Sequence, residues 1–521
     1  MKKHLLFLSL ALAAGCSAAS AEGILTTPQG TLYENVYRYN MQYLTFYGQL
    51  NIQQIEGKIG KIVIDGDDFY MLRPVNTFSV SQDYWIKGTR GSDGNIVFKL
   101  PQPAYIQPGN QYLGTEDTQL YNKMFKIEKQ TNADGEVTGY EFVEDTDNPD
   151  LVMKWENGVL SQVVPEGYES APVVGLTDGE IYSGSSDGDF RWSLFDETLQ
   201  TPPEGLETKQ YVVKSEDSYG RISQKIVHIG IKDGEMWIRD LYSYFPDSWV
   251  KGTVDGDKVT LPTNQYLGIY TTENYYYFFQ SSTVTQEPSE WGDMQNVYTP
   301  VSQATLTLKD GAYTVEADCA LMMCFGKNTA NPGMPSGSVI ENAVFTPYEE
   351  VAATPAAPYG IEIGDDYGWG RNISFNVPCT DTEGNFIDPN KLYYNIYVNG
   401  ELFSLTPELY PSLKETITDI PYLFNETGVI ITNGGENHTL TLNMEEKPEI
   451  GIQSVYIGGG ETRKSDLVLG IGGITAADAT VETTEYYTIS GLRVAEPVNG
   501  LYIRVDNMSD GSVKTSKVIV R

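Results

Sequence analysis

Histidine is almost missing from this chain of 521 residues: His4, His228 and His438 are the whole set. Rings so few cannot assemble a multi-histidine metal centre, and a Ser-His-acid triad would have to form around one isolated ring. His228, inside a strand-like stretch, is expected to be structural. Cysteine is nearly as scarce, at Cys16, Cys319, Cys324 and Cys379. If Cys16 departs with an N-terminal leader, three remain, which is no disulfide framework. On one straight strand Cys319 and Cys324 would face opposite sides about 16 Å apart, out of bonding range, so they are expected to serve as small buried apolar groups. No Cys-x-x-Cys, phosphate-binding glycine loop or HExxH motif occurs. Basic residues are outnumbered, 35 against 70 acidic, for a formal net charge of −35. A polyanion of this kind repels nucleic acid and anionic membranes, which excludes both as partners. Beyond the N-terminus no run approaches the ~20 apolar residues of a membrane-spanning helix, so no transmembrane segment is expected.

Helical periodicity is missing too, and short β-rich pieces take its place. Residues 62–64, 69–72, 229–231 and 236–238 are apolar or aromatic and are split by Asp/Gly turns, in a chain with 36 Tyr and 51 Gly. The length suggests about three or four domains.

One stretch occurs twice. Asp83-Tyr-Trp-Ile-Lys-Gly-Thr89 returns as Asp247-Ser-Trp-Val-Lys-Gly-Thr253, and each copy runs into an Asp-Gly turn, a Leu-Pro step (Leu100-Pro101, Leu261-Pro262) and an identical NQYLG at 110–114 and 264–268. Thr27-Pro-Gln-Gly30 matches Pro202-Pro-Glu-Gly205, residues 153–158 match 306–311, and 192–195 match 344–347. Two homologous modules in tandem are therefore expected, at 26–200 and 201–350, each a β-barrel or β-sandwich of about eight to ten strands. In the second, a hairpin turning at Asp255-Gly256 is expected to pair Val250 with Leu261 and Gly252 with Val259. Trp85 and Trp249 recur at the same place, which points to packing anchors, with ligand platforms as the alternative. Tyr275, Tyr277 and Phe279 should share one face of a strand and Tyr276 and Phe278 the other. One face is then core, and the other is free to stack on sugar rings or a partner protein.

A small, Pro-rich linker at 352–358 leads to 355–470. There the strand-like segments at 373–377 and 392–398, the Asn399-Gly400 turn, the strand at 450–457, Gly458-Gly-Gly460 and Ser465 stand in order. This resembles the fibronectin type III and immunoglobulin-like modules of bacterial surface proteins and implies a sandwich, although the Cys pair and Trp of antibody domains are missing. At 481–521, Glu485-Tyr-Tyr-Thr-Ile-Ser-Gly-Leu-Arg-Val494, Asn499-Gly-Leu-Tyr-Ile-Arg504 and Lys517-Val-Ile-Val-Arg521 resemble the C-terminal sorting domain of Bacteroidota secreted proteins. That resemblance implies export machinery as a partner of a small C-terminal β module. Its apolar face is expected to hold Tyr487, Ile489, Leu501, Ile503, Val518 and Val520. As a whole the chain resembles secreted proteins of gut Bacteroidales with duplicated modules.

The address at the other end is consistent. Met1-Lys2-Lys3, an apolar run over 5–14 and Ala19-Ser20-Ala21 read as a signal peptide, 1–21. Ala13-Ala14-Gly15-Cys16 offers the alternative of a lipid anchor on Cys16. The acidic clusters at 65–68, 144–150 and 187–189 are oxygen-rich, yet lack the spacing of a calcium loop. They are expected to be solvated turns, with Ca²⁺ the one candidate ion and no cofactor otherwise. No carboxylate pair stands out among 70 acids as a glycosidase pair would. The expectation is an all-β, secreted or surface-displayed, non-catalytic binding or adhesion protein whose ligand is a glycan or a protein surface. A polysaccharide hydrolase and a barrel carrier of a small ligand are the alternatives.

Overall fold

The computed structural model describes residues 23–46, 49–76, 82–109, 116–134, 136–168, 170–178, 181–270, 274–289, 292–327, 338–366, 370–425, 430–432, 436–442, 447–470, 481–488, 493–494, 497–498, 500–508 and 513–520. These residues are strand and turn throughout, apart from one 3-10 turn at Pro389–Lys391. The fold is all-β, as expected. None of the described residues forms a helix long and apolar enough to cross a membrane. The chain divides into two units, Met1–Ile222 with Val227–Pro347, and Ser223–Ile226 with Tyr348–Arg521.

Twelve strands make up the first copy: β1 (Thr31–Phe46), β2 (Gln49–Asp65), β3 (Asp68–Leu72), β4 (Trp85–Arg90), β5 (Asn95–Phe98), β6 (Gln102–Gln107), β7 (Thr118–Thr131), β8 (Val137–Glu144), β9 (Leu151–Glu156), β10 (Val159–Gln162), β11 (Val173–Thr177) and β12 (Ile181–Leu194). Sequence alone does not separate barrel from sandwich. Here β1-β2-β3-β4-β5-β9-β10-β12 pair antiparallel in that order and β12 returns to β1, which closes an eight-stranded barrel. Strand β11 joins β12 to β7, and β7 carries β6 and β8 on its other edge. Inward side chains follow the two-residue period of a strand: Ile96 and Phe98 of β5 are buried, and they meet Met71, Met153, Leu160 and Trp192 in the core.

Twelve more strands repeat the plan: β13 (Lys209–Glu216), β14 (Ile222–Lys232), β15 (Glu235–Arg239), β16 (Trp249–Asp255), β17 (Lys258–Pro262), β18 (Gln265–Tyr270), β19 (Tyr275–Pro288), β20 (Met294–Val301), β21 (Gln303–Lys309), β22 (Ala312–Val315), β23 (Cys319–Phe325) and β24 (Ser338–Pro347). The pairings β13–β24, β14–β15, β15–β16, β16–β17, β17–β21, β21–β22 and β22–β24 reproduce those of the first barrel. The attached sheet, β24–β23–β19 with β18 and β20, is reproduced as well.

The twice-occurring motif is a structural clasp. Its Gly faces inward beneath a bulky neighbour: a Cβ on Gly88 would come within 2.6 Å of the Phe98 ring, and one on Gly252 within 2.5 Å of Leu261. Its Lys faces outward, pairs with an acid (Lys87 with Asp68, Lys251 with Glu235) and lies over an aromatic ring, Tyr70 at 5.7 Å or Trp237 at 5.3 Å. A glutamine amide bridges the backbone of that Lys: Gln102 Nε2 donates to Lys87 O at 2.7 Å while its Oε1 accepts from Lys87 N, and Gln265 does the same to Lys251 at 2.8 Å.

Three alignments shift. Gln102 and Gln265 are the equivalent pair, so 264–268 overlaps β18, the counterpart of β6. The matching 110–114 comes after β6, outside the described residues. Trp192 corresponds to Phe345 rather than Val344, because Leu160 faces Trp192 just as Tyr313 faces Phe345. The β16–β17 turn falls on Gly256-Asp257, closed by Asp255 and Lys258. It pairs Val254 with Val259, two residues from the expected register. Only Gly256 needs positive φ, at 62°, and an even shift leaves Val250, Val259 and Leu261 all facing the core.

The two copies meet along an aromatic seam. Phe195 stands 4.6 Å from Tyr276 and 5.8 Å from Tyr37, while Tyr266 and Phe278 close the cluster. Gly57 is the extra residue of a bulge in β2, between Glu56 facing Tyr39 and Lys58 facing Arg38. Its backbone touches Gly326 of the second copy, and both glycines have positive φ, 79° and 67°. Ile59 N donates to Asn274 O at 2.8 Å beside them.

In the second unit, a four-stranded sheet (Tyr359–Asp366, Arg371–Asn376, Asn437–Leu442, Ile430–Thr432) faces one built on Leu392–Val398 and Ile450–Gly458. Ile373, Phe375, Leu440 and Leu442 pack on Tyr394, Ile396, Ile452 and Tyr456 to form a sandwich core. The last sheet joins Val481–Thr488 with Arg493–Val494 on one edge and with Gly500–Met508 and Val513–Val520 on the other. Its register sets Tyr502 opposite Val518 and Leu501 opposite Ile519. Leu501 and Ile503 therefore lie on the face opposite Val518, which splits the expected apolar face. Ile489 lies outside the described residues.

Candidate functional site

Strand β19 runs past the second barrel. Its residues 276–282 are buried on both faces; from Ser281 onward it pairs with β20 as a hairpin, and beyond Ser282 its residues are mostly exposed. Opposite stands the turn after β13, folded by Asp217, whose Oδ1 accepts from Tyr219 N at 2.8 Å and Arg221 N at 2.9 Å. Between hairpin and turn lies an open cleft of about 800 Å³, lined by Glu216, Tyr219, Gln286, Met294, Asn296, Tyr298, Asp318 and Glu341.

Its floor is apolar, with Tyr298 packed among Ala320, Met322 and Cys324. Its walls are polar and connected. Gln286 Nε2 donates to Asn296 Oδ1 at 2.9 Å, and Asn296 Nδ2 to the Glu341 carboxylate at 3.2 and 3.3 Å. Tyr298 Oη donates to Glu341 Oε1. Burial, and then this bond to a carboxylate, push the Tyr298 phenol well above its ordinary value. Glu216 sits directly opposite Glu341 across the β13–β24 pair and accepts from Asn342 Nδ2 at 3.1 Å. Tyr219 is 82 % exposed at the rim and Met294 59 %. Burial pushes the Cys319 thiol up to about 11, which leaves it a poor nucleophile at neutral pH. The first copy has no such acid pair, since Met41 and Gly188 occupy the positions of Glu216 and Glu341.

The residues singled out from sequence fall elsewhere. Trp85 is buried against Val63, Tyr70 and Leu72, and its backbone N–H donates to Leu25 O at 2.8 Å. Trp249 is half-buried between Trp237 and Arg239, 6.4 and 5.5 Å away. Neither ring lies open. Tyr277 and Phe279 enter the second core while Tyr276 and Phe278 enter the seam, so both faces of that strand are covered, and Tyr275 is half-buried against Phe325. Cys16 lies outside the described residues.

The acidic clusters disperse into local partners. Asp68 binds Lys87 and Thr89, which hold its carboxyl below the ordinary range. Asp145 accepts from Asn148 N and Tyr168 Oη, and Asp189 pairs with Arg191. Asp145 and Asp187 depart from the expected solvated turns: Asp145 is buried, and Asp187 is fully buried in β12. Among the described residues no group of three or more His, Cys, Asp or Glu is placed to hold a metal ion. His228 Nδ1 lies 2.7 Å from Asp240, near the surface.

What Glu216, Asn296 and Glu341 share is a set of acceptors and amides beside an open phenol ring. Such a set suits a neutral, hydroxyl-rich ligand, since carboxylates and amides bind hydroxyls and a ring stacks on an apolar sugar face. Compared with known proteins, the chain matches no family model, no curated protein and no solved structure.

Proposed function

We propose that this chain is a non-catalytic binding or adhesion protein, secreted or displayed at the surface of a Bacteroidota-like bacterium, and that the cleft of its second copy takes a neutral glycan. The observation that carries this reading is the cleft itself, a polar network around Glu341 beside the exposed Tyr219 ring. The leader-like N-terminus and the sorting-like motifs at 481–521 support the address. Acidic walls on a chain of net charge −35 disfavour sialylated or sulfated ligands.

The hydrolase alternative has one observation in its favour, the facing pair Glu216 and Glu341. A carrier needs an enclosed apolar cavity, whereas Met71, Phe98, Met153 and Trp192 fill the first barrel. An array of glycans and glycoproteins, probed with the mature protein with and without Ca²⁺, tests the reading. Retention of neutral glycans irrespective of Ca²⁺ is expected. Release of reducing ends from the bound glycans would replace it by the hydrolase reading, and silence across the array would defeat it.

A further inference from the structure

The duplication supplies an internal control. Arg38 faces Trp192 across β1–β12, just as Val213 faces Phe345 across β13–β24, and counting along the same strands places Asp187 where the second copy has Ile340. The second barrel fills these two positions with buried apolar side chains. The first buries an arginine and an aspartate, at 5 % and 0 % exposure. Charges buried in place of a well-packed apolar pair do not raise stability, so their presence needs another reason.

The surroundings supply one. Arg38, Lys58 and Arg73 converge with Asn76 and Asn274 on a cavity of about 70 Å³ at the seam between the copies. Gly60 makes room for the arginine stem, since a Cβ there would fall 2.7 Å from Arg38 Cγ. The guanidinium lies 4.3 Å over Trp192 and donates from Nη2 to Pro74 O at 2.8 Å, but its buried Nε has no partner. Asp187 spends its two oxygens on neutral donors, Asn40 Nδ2 at 2.5 Å and Asn76 N at 2.6 Å. Lys58 Nζ donates to Asn76 Oδ1, and Arg73 Nε pairs with Asp83 at 3.3 Å, so three cations stand against the buried Asp187 and the more exposed Asp83, a local positive excess in a strongly acidic protein.

We propose that this cavity binds a small oxyanion, either a phosphate or sulfate ion or a carboxylate group, held by Arg38, Lys58 and Arg73. Burial and the neighbouring guanidinium groups of Arg38 and Arg73 lower the Lys58 ammonium to about 8, and burial raises the Asp187 carboxyl to about 7. Tyr84 and Tyr275 also face the guanidinium. Raising the pH from 6 to 9 therefore adds a negative charge at Asp187 and removes a positive one at Lys58, both of which oppose an anion.

The test is calorimetric titration of the full mature chain with sodium sulfate at constant ionic strength set by chloride. Sulfate keeps its charge over this range, and phosphate and acetate arms separate tetrahedral from carboxylate ligands. Saturable binding is expected, weakening at least tenfold between pH 6 and 9. Lys58→Gln should weaken it at least tenfold at pH 6. The paired exchange Arg38→Val with Asp187→Ile, which installs the second copy's own residues, should fold and lose binding. Absence of saturable binding by all three anions would overturn the proposal, as would affinity independent of pH or unchanged in a folded variant. The pH series on the unaltered chain decides the matter if neither variant folds.

Discussion

Gly57→Ala should be far more damaging than its single methyl suggests. The residue has φ of 79°, where an L side chain costs about 1–2 kcal/mol. Its added Cβ would also overlap the Cα and N of Gly326, backbone atoms that cannot rotate aside. Overpacking of that kind costs about 1–3 kcal/mol. The total is about 2–5 kcal/mol, directed at the contact that joins the two copies. Gly66→Ala provides the reference, because Gly66 has φ of 58° with nothing near its would-be Cβ. It should show the backbone cost alone. Urea unfolding of the mature chain, followed by tryptophan fluorescence, gives both shifts. A Gly57→Ala shift no larger than that of Gly66→Ala would show that the seam yields freely, and would refute the close approach as a constraint.

Trp192→Ala, at a fully buried ring under Arg38, should cost about 3–5 kcal/mol, whereas Trp249→Ala, half-buried at the surface, should cost less than about 2, both read from unfolding midpoints. The Asp187 carboxyl rises from 3.8 to about 7 in the fold, so its proton contributes stability in full below about pH 4 and that contribution is lost as pH rises through about 7. Denaturation midpoints from pH 4 to 8 should accordingly fall more steeply for the unaltered chain than for Asp187→Asn; parallel curves would contradict the assignment. In the native host, removal of 481–521 should trap a folded protein in the periplasm. Undiminished display or release would instead favour the Cys16 route.

The duplication was legible because a clasp needs the same few residues wherever it is built. An inward Gly, an outward Lys with its acid, and a Trp on the outer face leave little freedom. That both copies share one plan followed from it, although each has twelve strands rather than the eight to ten expected, while barrel closure did not follow, since closure depends on which edges meet and pairing partners such as β5 and β9 are far apart in sequence. The candidate site was largely hidden. Tyr275 to Phe279 looks like a half-exposed aromatic strand, but a seam covers its second face, and nothing local announces a seam. Asp187-Gly-Asp189 reads as a solvated turn, yet Asp187 is inward in a strand whose period the flanking serines and glycines conceal. Glu216 and Glu341, 125 residues apart, become neighbours only through the β13–β24 register.

The cleft reading is tested most directly by repeating the glycan array with Tyr219→Ala and Glu341→Gln beside the unaltered protein. Tyr219 is exposed and Glu341 lies at the cleft wall, and neither lies in the second copy's main core. The expected result is retention of neutral glycans by the unaltered chain and a loss of at least tenfold in each folded variant. Equal retention by all three proteins would place the ligand elsewhere and contradict the account.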